Sequence, residues 1–291
     1  MRSVAANRGD RMGDAAACER RVPVRKFSGG DVVEAEDRVA VEEPLEIIIG
    51  WPAETEGSIA ATRNIAVTMR TPGNDAELAL GFLFTEGLIP SVDAVVDVRA
   101  EPNLNRVTVI LREVAESSAA ALERNFYMTS SCGVCGKASI DAIRTHAQFS
   151  AAGAELRITA ESLVSLPQRL TEYQAVFRGT GSIHAAALFD AQGLRPEVFE
   201  DVGRHNAVDK LVGAMLRAGQ LPLHRAGLLV SGRASFELVQ KARMAGCAIL
   251  ASVGAPSSLA IDLAWDSDMT LIGFLRDGRF NVYAGPARVD S

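Results

Sequence analysis

Ala226-Gly-Leu-Leu-Val-Ser231-Gly-Arg-Ala-Ser235-Phe-Glu-Leu-Val-Gln-Lys-Ala-Arg-Met-Ala245-Gly-Cys-Ala-Ile-Leu-Ala-Ser-Val253 decides the fold class of this chain. The apolar run Ala226–Ser231 has the length of a buried strand. A polar turn follows, then the apolar spacing of a helix over Ser235–Ala245. A second apolar run, Ala248–Val253, comes directly after. Strand, helix and strand in close succession predict a sheet covered by helices. The alternation extends outward. Ser257–Ala264 reads as a helix, Thr270–Leu275 as a strand, and Phe280–Tyr283 closes the pattern. Upstream, Ile183–Phe189 and Glu197–Glu200 read as strands about a glycine-containing turn, before a helix over Asn206–Ala218.

The first half is less regular. Residues 1–20 are rich in Ala, Arg, Gly and Asp. They lack the apolar core of a signal peptide and read as a disordered tail. Arg38–Val41, Leu45–Gly50 and Ile65–Arg70 read as strands. Thr71-Pro-Gly-Asn-Asp75 is a turn leading to a helix over Ala76–Glu86, with Asn74 placed to cap it and Gly87 to end it. Ala94–Ala100 and Arg106–Arg112 read as a hairpin around Glu101–Asn105. The expected division is a tail over 1–20, a small α+β domain over 21–128 and an α/β domain over 129–286.

Composition excludes several classes. The 291 residues carry a net charge of −6, and no Lys/Arg-rich run stands out. Broad nucleic-acid binding and a polybasic membrane patch are therefore not expected. No apolar stretch reaches the roughly 20 residues of a membrane span. Four cysteines, Cys18, Cys132, Cys135 and Cys247, are too sparse for a disulfide framework. The expectation is a cytoplasmic protein with reduced thiols.

Two of the four thiols share one polar, glycine-bracketed segment, Ser130-Ser-Cys132-Gly-Val-Cys135-Gly-Lys137. Lys137, and the start of a helix read over Lys137–His146, are positioned to favour a thiolate. Structural zinc would need two further ligands, and neither Cys18, in the tail, nor Cys247, in an apolar run, is attractive; no metal is expected. A thioredoxin-like site lacks its customary tryptophan and proline. A zinc deaminase would show H-x-E and a proline before the first cysteine. Here Ser131 precedes Cys132, and His184-Ala-Ala186 has no glutamate. A sulfur carrier needs one nucleophilic thiolate on a mobile loop. From spacing alone the carrier and redox readings stand level.

Three further segments concentrate polar groups at strand ends, where open α/β sheets bind ligands. Glu200-Asp-Val-Gly-Arg-His-Asn206 offers Arg204 and His205, set against plain helix capping by Asn206 and an Asp201–Arg204 salt bridge. Ser231-Gly-Arg-Ala-Ser235 offers free N–H groups at a helix start, Gly232 for close approach and Arg233 for a phosphate; Ser235 as a helix cap is compatible with that. Phe274-Leu-Arg-Asp-Gly-Arg279 offers an aromatic face and two arginines. On pattern alone this last segment is a hairpin turn.

Together these segments resemble the formate dehydrogenase accessory sulfurtransferase family, FdhD. Arg63–Pro72, Glu77–Leu83, Ser131–Gly136, Gly179–Ala187, Glu200–Lys210, Ser231–Lys241 and Leu271–Tyr283 carry the resemblance, which spans nearly all of the chain beyond the tail. It implies a cytidine deaminase-like α/β/α domain with a mixed sheet, preceded by a smaller α+β domain. It implies sulfur transfer from a cysteine desulfurase to a molybdenum or tungsten bis(molybdopterin guanine dinucleotide) cofactor for formate dehydrogenase. Cys132 matches the persulfide-bearing residue and Cys135 its partner. Phe274, Leu275, Arg276, Asp277, Gly278 and Arg279 match the cofactor-binding segment, against the hairpin reading. Ser231, Gly232, Arg233, Ser235, Arg204 and His205 join them as expected contacts, GDP is the expected mimic, and a homodimer is expected. The alternatives are a cofactor-binding chaperone without sulfur transfer and a C-x-x-C redox protein.

Overall fold

The computed structural model describes residues 18–53, 59–112, 149–151 and 154–291. Cys132, Cys135 and the helix expected over Lys137–His146 lie outside them. Strands β1 (Glu19–Ser28) and β2 (Asp31–Ala40) form an antiparallel hairpin of their own. It turns at Gly29 and Gly30, both at positive φ, as two-residue hairpin turns require. This corrects the tail boundary: Glu19 and Arg20 are in a strand, and Cys18 is buried, its Sγ 3.4 Å from the Pro72 carbonyl.

The next sheet has the order β4-β3-β6-β5, from β3 (Glu43–Pro52), β4 (Ile59–Arg70), β5 (Val95–Glu101) and β6 (Arg106–Leu111). β3 and β6 are parallel and the other pairs antiparallel. The helix Asp75–Thr85 covers this sheet. Asn74 holds the cap position with φ 55°, but its side chain makes no cap bond. The turn is fixed instead by Arg70. Its guanidinium is buried and grips both carboxylate oxygens of Asp75 at 2.9 Å.

The larger sheet has the order β13-β12-β11-β10-β8-β9. Its strands are β8 (His184–Asp190), β9 (Gly193–Asp201), β10 (Gly227–Val230), β11 (Ile249–Ser252), β12 (Thr270–Arg276) and β13 (Arg279–Ala284). β10, β11 and β12 run parallel, and antiparallel pairs flank them. Period-two alternation sends residues to opposite faces. Ala186, Leu188, Leu228, Val230, Leu250 and Leu271 join one cluster with the helices Arg204–Arg217, Phe236–Met244 and Ser258–Asp266. Ala185, Ala187, Phe189, Leu229, Ile249, Ala251 and Ile272 join another with Leu163, Leu166 and Leu170 of the helix Ala160–Tyr173. The sheet is thus a middle layer between helices. β7 (Ile158–Thr159) pairs with β14 (Val289–Asp290) beside it.

The first cluster also contains Leu45, Ile47, Val107 and Val109 of the smaller sheet. The join is a crossing of Asp75–Thr85 with Arg204–Arg217. A Cβ on Gly81 would lie 1.8 Å from the Asp209 carbonyl oxygen, and one on Gly213 would lie 1.9 Å from that of Glu77. Only glycine admits backbones this close. Two buried ion pairs flank the crossing. Lys210 Nζ meets Asp201 Oδ2 at 2.8 Å and the Thr71 carbonyl at 2.8 Å. Lys241 Nζ meets both Asp209 oxygens at 2.9 and 3.0 Å, and Thr85 Oγ1 at 2.8 Å. Burial opposes the charge on Lys241, but Asp209 and Glu86 more than offset it and hold its pKa above the ordinary lysine value. Asp201 therefore pairs with Lys210, not with Arg204 as the sequence suggested.

Candidate functional site: a cationic cleft at the ends of the parallel strands

The carboxyl ends of β10, β11 and β12 open onto a cleft of about 330 Å³ lined by His184, Arg204, Ser231, Gly232, Arg233, Val253, Gly254 and Arg276. Each strand end delivers its part. β10 runs into Ser231-Gly232-Arg233, β11 into Val253-Gly254, and β12 carries Arg276. β8 is antiparallel to β10, so its first residue, His184, arrives at the same end. The helix starting at Arg204 delivers that residue from the next connection.

Backbone contacts hold these tips together. Ser231 N–H donates to the Ala185 carbonyl at 3.0 Å, and Ala185 N–H donates to Ser231 Oγ at 2.9 Å. Oγ keeps its own proton to donate. Gly254 N–H donates to the Gly232 carbonyl, and Phe274 N–H donates to the Gly254 carbonyl. A Cβ on Gly232 would sit 3.3 Å from His184 Nδ1 and 3.6 Å from Arg204 Cδ, and one on Gly254 would sit 3.0 Å from the Arg233 backbone. The two glycines keep the floor low enough for a ligand to touch main chain.

The donors in the cleft are cationic. Three arginines line it, and Arg204 Nε is buried without a hydrogen-bond partner. An orphaned buried donor of a charged group is costly unless a ligand meets it. Beside it, His205 Nε2 lies 2.7 Å from Glu237 Oε2 and 3.3 Å from Ser235 Oγ. Ser235 stands at the start of the helix Phe236–Met244, but its side chain makes no cap bond. Asn206 is not a cap either. It lies inside its helix, and its Nδ2 donates to the Met69 carbonyl at 2.7 Å and to Asp201 Oδ1 at 3.1 Å.

The segment Phe274–Arg279 is a hairpin turn, as its pattern alone suggested. Arg276 pairs with Arg279 across Asp277 and Gly278, which have φ of 54° and 71°. A register shift between Gly273 and Arg276 places Phe274 at φ 53°. The Arg276 guanidinium lies 5.7 Å over the Phe274 ring. Arg276 reaches the cleft, while Asp277, Gly278 and Arg279 are exposed and outside its lining. Leu275 is fully buried in the core and is outside the lining. His205 and Ser235 flank the cleft without lining it. The sequence reading does not place His184 or Val253 in the site, and it offers Gly254 only through the cation-free strand-to-helix turn Gly254–Ser258.

The donor set suits a phosphorylated ligand: three guanidinium groups, a hydroxyl, main-chain N–H groups at strand-to-helix turns and an aromatic ring close by. The volume is at the lower end for small-molecule sites, so it suits one nucleotide arm rather than a whole bis-dinucleotide. Among the described residues no cluster of three or more His, Cys, Asp and Glu could hold a metal ion. No helix among them is long and apolar enough to cross a membrane.

Of the two cysteines described, Cys247 is fully buried, and burial pushes its thiol up to about 12. The thiolate is the reactive form, and at pH 8 it would be about one part in ten thousand. Cys247 should therefore resist iodoacetamide at pH 8 in the folded protein and alkylate only on unfolding. Peptide mapping checks this, and native-state labelling at a rate near that of free cysteine would refute it.

The FdhD/NarQ family profile matches residues 40–290. A sulfur carrier protein FdhD from Streptomyces avermitilis is 48% identical over 291 residues, covering 93% of this chain and 95% of that protein. Its namesake from Mycobacterium tuberculosis is 44% identical, covering 96% of this chain and all of the relative. One from the archaeon Sulfolobus acidocaldarius is 40% identical over 93% of this chain. The fold is similar to a crystal structure assigned to a formate dehydrogenase accessory protein from Desulfotalea psychrophila, with a TM-score of 0.69, 22% identity and coverage of 94% of this chain and 99% of the other. With the profile spanning both sheets and every residue of the cleft, the chain belongs to the FdhD/NarQ family.

Proposed function

We propose that this protein is a sulfur carrier serving formate dehydrogenase. It takes sulfur from a cysteine desulfurase as a Cys132 persulfide and delivers it to a molybdenum or tungsten bis(molybdopterin guanine dinucleotide) cofactor. The family supports the carrier role, and the cationic cleft is the observation that supports a phosphorylated client. The large sheet with helices on both faces is read as the cytidine deaminase-like domain.

Loading is a thiol exchange. The Cys132 thiolate attacks the outer sulfur of the desulfurase persulfide. That S–S bond breaks, the desulfurase cysteine leaves as a thiolate, and the outer sulfur stays on Cys132. For release, the Cys135 thiolate attacks Sγ of the protonated Cys132 persulfide. A Cys132–Cys135 disulfide forms and the outer sulfur departs as hydrosulfide. A thiol reductant then returns two electrons and restores both cysteines.

Arg204, Arg233 and Arg276 would hold the phosphates of one nucleotide arm, Ser231 and the Gly232 and Gly254 backbones would line its path, and Phe274 would offer the base a face. The bound cofactor supplies the metal to which sulfur is added. Incubation with a desulfurase and cysteine should add the mass of one sulfur atom to the peptide containing Cys132. Cys132→Ala should lose this addition and keep GDP affinity. Sulfur found only on Cys247 would refute the assignment of the carrier thiol to Cys132. Full support of formate dehydrogenase by Cys132→Ala would favour the chaperone reading.

A further inference from the structure

His184 is the one member of the cleft that can change charge near neutral pH. It lines the cleft from the first position of β8, and its Nδ1 faces the space above Gly232. Among the described residues neither ring nitrogen has a hydrogen-bond partner. Charged groups surround it on every side: Arg204 and His205 from the helix beside it, Asp201 directly across on β9, Arg233 after β10 and Arg276 on β12. Glu237 reaches it only through His205. Cations dominate this list. Burial, and then Arg204 and His205, hold the imidazole below its ordinary pKa, with Asp201 pulling the other way. With no ligand the ring is neutral at pH 7.

A nucleotide diphosphate would reverse that balance, since its negative charges would enter the space the ring faces. We propose that His184 contacts the bound nucleotide and takes up one proton when it binds, so that the cleft grips a diphosphate in mildly acidic solution and loosens as pH rises. The inference rests on the cofactor reading of the cleft. It adds a residue to that site and gives the site a pH dependence. Linkage fixes the sign: where binding takes up a proton, affinity falls with pH, by at most about tenfold per unit for a single site.

Titration calorimetry with GDP tests it on the full chain, in buffers of different ionisation heat from about pH 5.5 to pH 7.5, the range a histidine covers. Beyond the protons exchanged by the GDP terminal phosphate, the wild type should take up as much as one further proton within this range and lose affinity toward neutrality. His184→Gln, which keeps a polar ring-sized group without a titrating nitrogen, should bind GDP with only the share of the pH dependence and buffer-dependent heat that comes from the GDP terminal phosphate, which itself ionises at about pH 6. His205→Gln should retain most of the slope. Binding with no more proton uptake than His184→Gln shows overturns the inference and leaves the cofactor reading intact. An unchanged slope in His184→Gln, or one lost only in His205→Gln, also overturns it. A wild type that binds no GDP at any pH overturns the cofactor reading and this inference together.

Discussion

Asp209→Ala should destabilise the protein by about 3–5 kcal/mol, the usual cost of leaving one partner of a buried ion pair alone. Asp209 is 2% exposed and Lys241 5%, so water cannot replace the lost carboxylate. Lys241 would keep Thr85 Oγ1 and a longer contact of 3.4 Å to Glu86. Replacing both partners by apolar groups, as in Asp209→Leu with Lys241→Met, should recover part of the loss, because neither member of the pair is then left alone, although Glu86 gives up its contact to Lys241. Urea unfolding checks this through the midpoint at constant slope. A single variant within about 1 kcal/mol of wild type would mean that Lys241 deprotonates or reaches solvent. The pair ties the end of the Asp75–Thr85 helix to the Arg204–Arg217 and Phe236–Met244 helices, and both of the latter begin at the cleft.

Removing Arg204 and Arg276 together should weaken GDP binding by about a thousandfold. Each charge-assisted hydrogen bond contributes about 1.5–3 kcal/mol, and 1.4 kcal/mol is tenfold in affinity. Arg276 is half exposed and takes the lower figure because water screens it. Arg204, with its orphaned Nε, takes the higher. Arg204→Ala should leave the free protein as stable as wild type, since the deletion removes an unmet donor. Arg279→Ala should change affinity by about twofold or less, as an exposed charge outside the lining. Sulfur loading of Cys132 should survive all three changes. Calorimetry with GDP checks the set. Unchanged affinity in the double variant would move the nucleotide elsewhere.

Much of the α/β half is legible because its strands are short apolar runs stopped by polar turns. Gly227–Val230, Phe236–Met244, Ile249–Ser252 and Thr270–Arg276 fall within a residue or so of the bounds read from the sequence. The β1–β2 hairpin is not. Most of its residues are exposed on both faces, so no buried side imposes an alternating pattern, although Gly29-Gly30 was an available turn signal. The helix Ala160–Tyr173 was also missed. Leu163, Leu166 and Leu170 have helical spacing and Thr159 caps it, but Pro167 within it argues against a helix. In the cleft, Ser231, Gly232, Arg233 and Arg204 are readable because strand-to-helix turns announce themselves, whereas Arg276 stands on a hairpin and follows only from the family resemblance. His184 is not readable, because its place depends on β8 pairing with β10, a strand that follows only after β9 and a whole helix. Asp277 and Arg279 are expected contacts from the resemblance, and the hairpin leaves both exposed and outside the cleft lining.

Phe274 sits at a positive φ that bulky side chains seldom adopt. Holding it there costs on the order of 1–3 kcal/mol, and the Gly254 carbonyl and the irregular pairing of β12 with β13 help enforce it. A glycine would relax at this position, so the usual rule for deleting an aromatic side chain is opposed here by the backbone. The fold and the cleft want different residues at 274. The protein has kept the ring beside Arg276 and accepted a less comfortable strand, which sets thermal stability and ligand capture against each other at a single residue.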